Sequence, residues 1–244
     1  IIPDKQASNL KARKTNRIKK LHNEYKKMTN LAKIDCWIFD LDNTLYPASV
    51  NLFSQINVKM SDYIMTLLDV DKLTADKMRA AYWEKYGTSL AGLMQNHKID
   101  PEDFLNVVHD IDFSVLSKDL NLSNSLNKLP GRKLVYTNGT VPYAREVLKY
   151  RGLTDVFDEV YGIEDAAYVP KPFPEAFEIV FSKANIIHKK SAMFEDEVRN
   201  LEVPFKLGLK TILVSDVQSN KKYVNYSVKC LSDFLRQITS NSLK

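Results

Sequence analysis

The chain of 244 residues carries 35 Lys and Arg against 30 Asp and Glu, with 44% apolar and 10% aromatic side chains but only 7 Gly and 9 Pro. That composition excludes a disordered or collagen-like chain and supplies enough apolar material for one substantial domain with room for an insertion. No stretch approaches the roughly 18 unbroken apolar residues of a membrane span, and two cysteines, Cys36 and Cys230, are too few for a disulfide framework and point to a reducing, cytoplasmic setting.

The net charge of +5 is unevenly placed. Residues 1–33 hold ten Lys and Arg against Asp4 and Glu24, so this lead carries +8 and the rest of the chain −3. Such a lead reads either as an arm for nucleic acid or a membrane surface or as a solvated tail. Tyr25 is its lone aromatic, which favours the tail, because strand-binding arms interleave charge with stacking rings. Met28 is the first methionine and the expected natural start, residues 1–27 then being upstream sequence. His22, His97, His109 and His188 are scattered with no i,i+4 pair, so no zinc site is expected.

Ile34–Phe39 is a short run of strand formers that breaks into the polar Asp40–Thr44. A run apolar on both faces suits a central parallel strand. From Ala48 to about Lys128 the period turns helical, with Leu52, Ile56, Met60, Ile64, Leu67 and Leu68 at three- and four-residue steps and a start signal at Asp100–Asp103. Strand character returns at Lys133–Thr137, Glu159–Gly162, Ser191–Phe194, Thr211–Val214 and Ser227–Leu231, with helices expected at Val141–Tyr150 and from Pro174. This alternation predicts an α/β fold, a doubly wound parallel sheet of right-handed βαβ units. The expected division is a lead (1–33), a core (34–47 and 129–244) and an inserted helical domain (48–128).

Open parallel sheets bind ligands outside the carboxyl ends of their strands. Those ends deliver Asp40 and Asp42, then Thr137 and Asn138, then Lys171 between two prolines, then Glu195 and Asp196. The inventory fits phosphoryl chemistry. Side chains two apart on an extended strand share a face, and paired carboxylates repel unless a hard cation sits between them. Mg²⁺ takes oxygen ligands, here Asp40 and Asp196. One carboxylate can attack phosphorus while the other moves protons. Thr137 and Lys171 can hold the equatorial oxygens.

The residues Phe39–Pro47 (FDLDNTLYP), Tyr136-Thr137-Asn138-Gly139, Lys171-Pro172 and Phe194-Glu195-Asp196 together resemble the four motifs of the haloacid dehalogenase superfamily. The resemblance runs from about Ile34 to Val214 and implies a Rossmann-like core with a helical cap of the type-1 position. It further implies Asp40 as nucleophile and Asp42 as general acid/base. Thr137, Asn138 and Lys171 become phosphate contacts, with Mg²⁺ on Asp40, the Asp42 carbonyl and Asp196, and Glu195 in an auxiliary place near the metal. Asp42 is absent from the dehalogenase branch, which argues for a phosphatase. Asp42–Pro47 and the run from Met193 through Pro204, with Asn51-Leu52-Phe53, Tyr86-Gly87-Thr88 and Val108–Asp112, resemble the pyrimidine 5′-nucleotidase branch. Thr140 and Glu197 depart from the usual pattern.

The expected activity is therefore a Mg²⁺-dependent phosphatase acting through an aspartyl-phosphate on a small phosphorylated metabolite, a pyrimidine nucleoside 5′-monophosphate. Phosphoglycolate, sugar phosphates or a promiscuous range form the alternative. A nucleic-acid-binding protein with a basic arm and a vestigial core is the alternative from another class, against which the acidic body and intact motifs argue. Tyr46, expected at the site mouth, and Asn51 and Thr88 are the candidate substrate contacts outside the motifs.

Overall fold

The structure, a computed structural model, describes residues 31–241. The basic lead through residue 30, with the expected start at Met28 and the alternative reading of a nucleic-acid arm, lies outside the described residues.

Six strands form one parallel sheet: β1 Cys36–Phe39, β2 Arg132–Tyr136, β3 Glu159–Tyr161, β4 Ser191–Glu195, β5 Lys210–Val214 and β6 Tyr226–Val228, in the spatial order β3-β2-β1-β4-β5-β6. This is the doubly wound arrangement expected, with its switch point at β1, where the chain turns from one half of the sheet to the other. β1 and β4 are buried along their whole lengths, as a central strand covered on both faces must be. Alternation splits β1 between two cores: Trp37 and Phe39 join one cluster, Cys36 and Ile38 the other. Phe39 and Phe194, paired across β1 and β4, stack at 4.5 Å and 4°. Full burial of such a side chain contributes roughly 1.5–3 kcal/mol. Cys36 is a free, buried thiol, and burial pushes it up to about 11.

Five helices lie between β1 and β2: α1 Leu52–Leu68, α2 Lys72–Tyr86, α3 Ser89–His97, α4 Pro101–Val108 and α5 Leu120–Asn127. Their caps follow local chemistry. Asp71, Thr88 and Asp100 each accept a hydrogen bond from a first-turn N–H, and Pro101 occupies the first turn of α4. α1 packs on α2 and α4, and α2 on α3. α5 packs instead on α9, Leu231–Asn241, the last helix of the chain, and Ser125 Oγ donates to Ser232 O. We therefore propose that the inserted domain ends before Leu120 rather than at residue 128.

The remaining helices are α6 Val141–Arg151, α7 Pro174–Lys183 and α8 Glu202–Leu207. The expected last strand, Ser227–Leu231, is corrected at its end. β6 stops at Val228, and Leu231 opens α9, where Leu231, Leu235 and Ile238 form a buried stripe at helical spacing. No helix of the described residues is long and apolar enough to cross a membrane.

Candidate active site

Strand register assembles the site. Phe39 pairs with Val135 on one side and Phe194 on the other, so Asp40, Tyr136 and Glu195 come level at the carboxyl edge. The Asp40 N–H donates to Phe194 O at 2.9 Å, extending the ladder by one residue. Thr137, Asn138 and Asp196 follow immediately, which explains how motifs separated by some hundred and fifty residues meet.

The Lys171 ammonium is 1% exposed, and its three N–H groups go to Asp40 Oδ1 (2.7 Å), Glu195 Oε1 (2.7 Å) and Tyr136 O (3.0 Å). Burial opposes its charge, but Asp40 and Glu195 overcome that and hold the ammonium well above its ordinary range. Asn138 fixes the loop that presents it: its Oδ1 accepts from Lys171 N at 2.9 Å and its Nδ2 donates to Lys171 O at 3.1 Å. The Asn138 amide is thus committed to orienting Lys171. Thr137 is buried, its Oγ1 accepts from Gly139 N–H at 2.9 Å, and its hydroxyl proton remains available to the cavity.

Asp40, Glu195 and Asp196 bring carboxylate oxygens within 4.8 Å of one another. Glu195 is heavily engaged: besides Lys171 it accepts from Asn200 Nδ2 at 2.7 Å and from Glu197 N–H at 2.9 Å. Among the described residues, Asp196 accepts from Asn43 Nδ2 alone, at 3.2 Å, and Asp40 Oδ2 from the Thr44 hydroxyl alone, at 3.2 Å. Burial, then Glu195, raises Asp40 to about 7 against the pull of Lys171, and burial, Glu195 and Asp40 raise Asp196 to about 9. Three carboxylates around one ammonium leave a buried negative excess. An all-oxygen donor set of this kind fits a hard divalent cation such as Mg²⁺.

Asp42 is held differently. Its Oδ1 accepts from both Tyr46 OH (2.6 Å) and Tyr143 OH (2.5 Å), while its Oδ2 takes no hydrogen bond from the described residues. Burial raises its proton affinity, and the two phenols moderate the rise. His109 stacks on Tyr143 at 4.3 Å and 10°, and burial holds its imidazole down to about 4, hence neutral.

A cavity of about 380 Å³ opens over this edge, bounded by Asp40, Asp42, Thr137, Asn138, Lys171 and Asp196 below and by α1, α2 and α4 above. Arg199 ties the two walls: Nη1 donates to Trp83 O (3.0 Å), Nη2 to Gly87 O (3.1 Å), and its guanidinium lies 3.7 Å from the Trp83 ring centre. Gly87, at φ +84°, sits where a Cβ would press on Lys171 O and Phe173 at 3.2 Å, so that close approach requires glycine.

Two of the three substrate contacts expected from sequence are corrected. Tyr46 does not stand at the mouth; it is 2% exposed and donates to Asp42 from behind. Asn51 takes a left-handed backbone conformation before α1, exposed and outside the cavity wall. Thr88 does line the cavity, but its Oγ1 caps α3 by accepting from Ala91 N–H. Sequence reading passed over Tyr143, Asn43 and Asn200. Tyr143 had a local signal, since it lies on the first turn of the helix that follows the second motif, where Thr140 is the N-cap.

The raised carboxylates set a pH dependence. A group held above its unfolded value contributes stability below that value and loses it as pH rises through the folded one. For Asp40 and Asp196 this spans 3.8 to about 7 and about 9. His109, depressed from 6.5, opposes this only below pH 6.5. Metal-free protein is therefore expected to lose stability between pH 7 and 9, and Mg²⁺ to protect it increasingly across that interval. Urea unfolding with and without Mg²⁺ checks this; a flat or rising metal-free profile contradicts it.

Residues 37–214 match the haloacid dehalogenase-like hydrolase family. Phosphate metabolism protein 8 of Saccharomyces cerevisiae is 27% identical in an alignment of 202 residues that covers 75% of this chain and 62% of that protein, so the chain spans about three fifths of that relative. Among solved structures, CbbY from Rhodobacter sphaeroides, in complex with phosphate, superposes with a TM-score of 0.60 at 13% identity over 82% of this chain and 96% of its own. The hydrolase YfnB from Bacillus subtilis, bound to magnesium, gives 0.55 at 15% identity over 84% and 98%. With its four motifs converging on one sheet edge and its matched segment running through five of the six strands, the chain belongs to the haloacid dehalogenase-like hydrolases.

Proposed function

We propose that this hydrolase is a Mg²⁺-dependent phosphatase of small phosphorylated metabolites, working through an aspartyl-phosphate on Asp40, with pyrimidine nucleoside 5′-monophosphates as substrates. The observation that carries this reading is Asp42. A carboxylic acid pinned on one oxygen by two phenols and bare on the other, beside the cavity, is built to move a proton. Carbon–halogen cleavage has no use for such a group, because halide leaves without a proton. The names of the yeast relative and the phosphate-bound CbbY support phosphate as the ligand, and the magnesium-bound YfnB supports the metal.

The Asp40 carboxylate attacks phosphorus as the bond to the leaving oxygen breaks, and Asp42 gives its proton to the departing alkoxide. Asp42, now ionised, takes a proton from water as the water oxygen attacks phosphorus and frees Asp40. The Thr137 hydroxyl holds an equatorial oxygen through both displacements, while the Lys171 ammonium, its three N–H groups on Asp40, Glu195 and Tyr136 O, orients the nucleophile and offsets negative charge beside it. Asp40, Asp196 and the Asp42 carbonyl would hold Mg²⁺, which when bound neutralises phosphate charge at the cluster.

A panel of phosphate monoesters tested with Mg²⁺ and with a chelator examines the reading. Release is expected from pyrimidine nucleotides and to cease with the chelator. Asp42→Asn should slow alkyl esters about 10²–10³-fold and nitrophenyl esters far less, because a good leaving group needs no proton. Uniform slowing would remove the acid role, and a preference for phosphoglycolate or sugar phosphates would replace the substrate.

A further inference from the structure

We infer that Arg79, braced by Asn57, selects the leaving group and reads the carbonyl-bearing edge of a pyrimidine base; this rests on the phosphatase reading above. Three cations line the cavity, Lys171, Arg79 and Arg199. The Lys171 ammonium spends all three N–H groups at the carboxylate cluster. Arg199 gives both terminal nitrogens to main-chain carbonyls and stacks on Trp83. Of the three, Arg79 keeps a whole terminal nitrogen in hand, whereas Arg199 leaves only its Nε without a partner. Its Nη1 donates to Asn57 Oδ1 at 2.8 Å, and the guanidinium makes no other hydrogen bond and no ion pair among the described residues. Neighbouring Asp76 turns away to Ser61 and Lys72. The Asn57 contact, reaching from α1 to α2, restrains the guanidinium plane and leaves its remaining donors for a ligand.

The surroundings choose the class of that ligand. Phe53, Ile56, Met60 and Phe104 give the same cavity an apolar wall. A small dianion such as phosphoglycolate would leave that wall wet. A ribose carrying a flat heteroaromatic ring covers it and brings a ring carbonyl and its neighbouring ring nitrogen, O2 and N3 in cytosine, within reach of the guanidinium, whose planar donors suit adjacent acceptors on one ring edge. Arg79 is then a specificity-determining residue, remote from the reacting atoms.

The test measures kcat/KM for cytidine 5′-monophosphate and for phenyl phosphate, with Mg²⁺, in wild type, Arg79→Gln and Arg79→Lys. It also measures the inhibition constant of cytidine, which carries no phosphate. The ratio of the two efficiencies is expected to fall about 30-fold in Arg79→Gln, mainly through KM for the nucleotide, and about 10-fold in Arg79→Lys, which keeps the charge and stem but loses the planar fork. Cytidine inhibition should weaken in parallel. A ratio and a cytidine constant that both move less than about threefold in Arg79→Lys, or in a folded Arg79→Gln, overturn the inference while leaving the phosphatase standing. So does a wild-type preference for phosphoglycolate that Arg79→Gln abolishes, since the arginine then reads a carboxylate. Absence of phosphate release from every ester in wild type overturns the underlying reading instead.

Discussion

Asp40→Asn is expected to lower phosphate release by at least about 10⁴-fold, the scale seen when a covalent nucleophile is removed, with the fold intact. An amide cannot form the acyl phosphate, and neither Asp42 nor Asp196 is placed to replace it. Asp42 is turned by its two tyrosines, and Asp196 follows a different strand. The stability side of the prediction is equally specific. Asn keeps an oxygen for the Lys171 ammonium and an amide group for the Thr44 hydroxyl, so both hydrogen bonds of the wild-type side chain survive. The substitution also removes one charge from a buried cluster with a negative excess, where burial first and then Glu195 lift Asp40 to about 7. The melting temperature of metal-free Asp40→Asn should therefore equal or exceed that of wild type above pH 7. Turnover within tenfold of wild type would refute the nucleophile; a large loss of melting temperature would refute the charge account.

Lys171→Met should damage both fold and activity. Methionine matches the length of the lysine stem but offers no donor, leaving Asp40 and Glu195 facing each other in a site where lysine is 1% exposed. Breaking a buried pair from one side costs about 3–5 kcal/mol, or roughly 6–20 °C in melting temperature for a chain of this size. The loss should shrink in acid. With the ammonium gone, the carboxylates are pushed further above their unfolded values, and stability held by protonated carboxyls is present at low pH and lost as pH rises through the raised values. Thermal melts at pH 5 and pH 8 should show a smaller deficit at pH 5. An equal deficit at both would mean that packing of the stem, rather than charge, is what lysine supplies. Phosphate release should fall with it, because Lys171 is the cation that orients Asp40.

Much of this was legible in the chain itself. Asp40, Asp42, Thr137 and Asp196 announce themselves because each closely follows an apolar strand run, and a parallel sheet gathers such ends at one edge whatever the intervening sequence, while Lys171 is marked by the two prolines around it in the loop after β3. Helix starts at Asp71, Thr88 and Asp100 are equally local, since a capping side chain and the N–H it serves lie within three residues.

What needed tertiary structure is everything set by contacts between distant segments. Tyr46 follows the first motif and reads as a substrate contact, but packing turns its hydroxyl inward to Asp42, where Tyr143, 101 residues away, joins it. Asn138 carries a side chain suited to phosphate, and only the fold commits both ends of that amide to the Lys171 peptide. α5 has the helical period of its neighbours, and its allegiance to α9 is decided by the far end of the chain. Arg79 is one of many cations on charged helices, distinguishable only after packing has given Lys171 and Arg199 partners and left it with one. Periodicity and capping are properties of a few neighbouring residues, so the order of side chains determines them. Which donors and acceptors remain unmatched depends on every segment that reaches the site, and only the assembled molecule decides that.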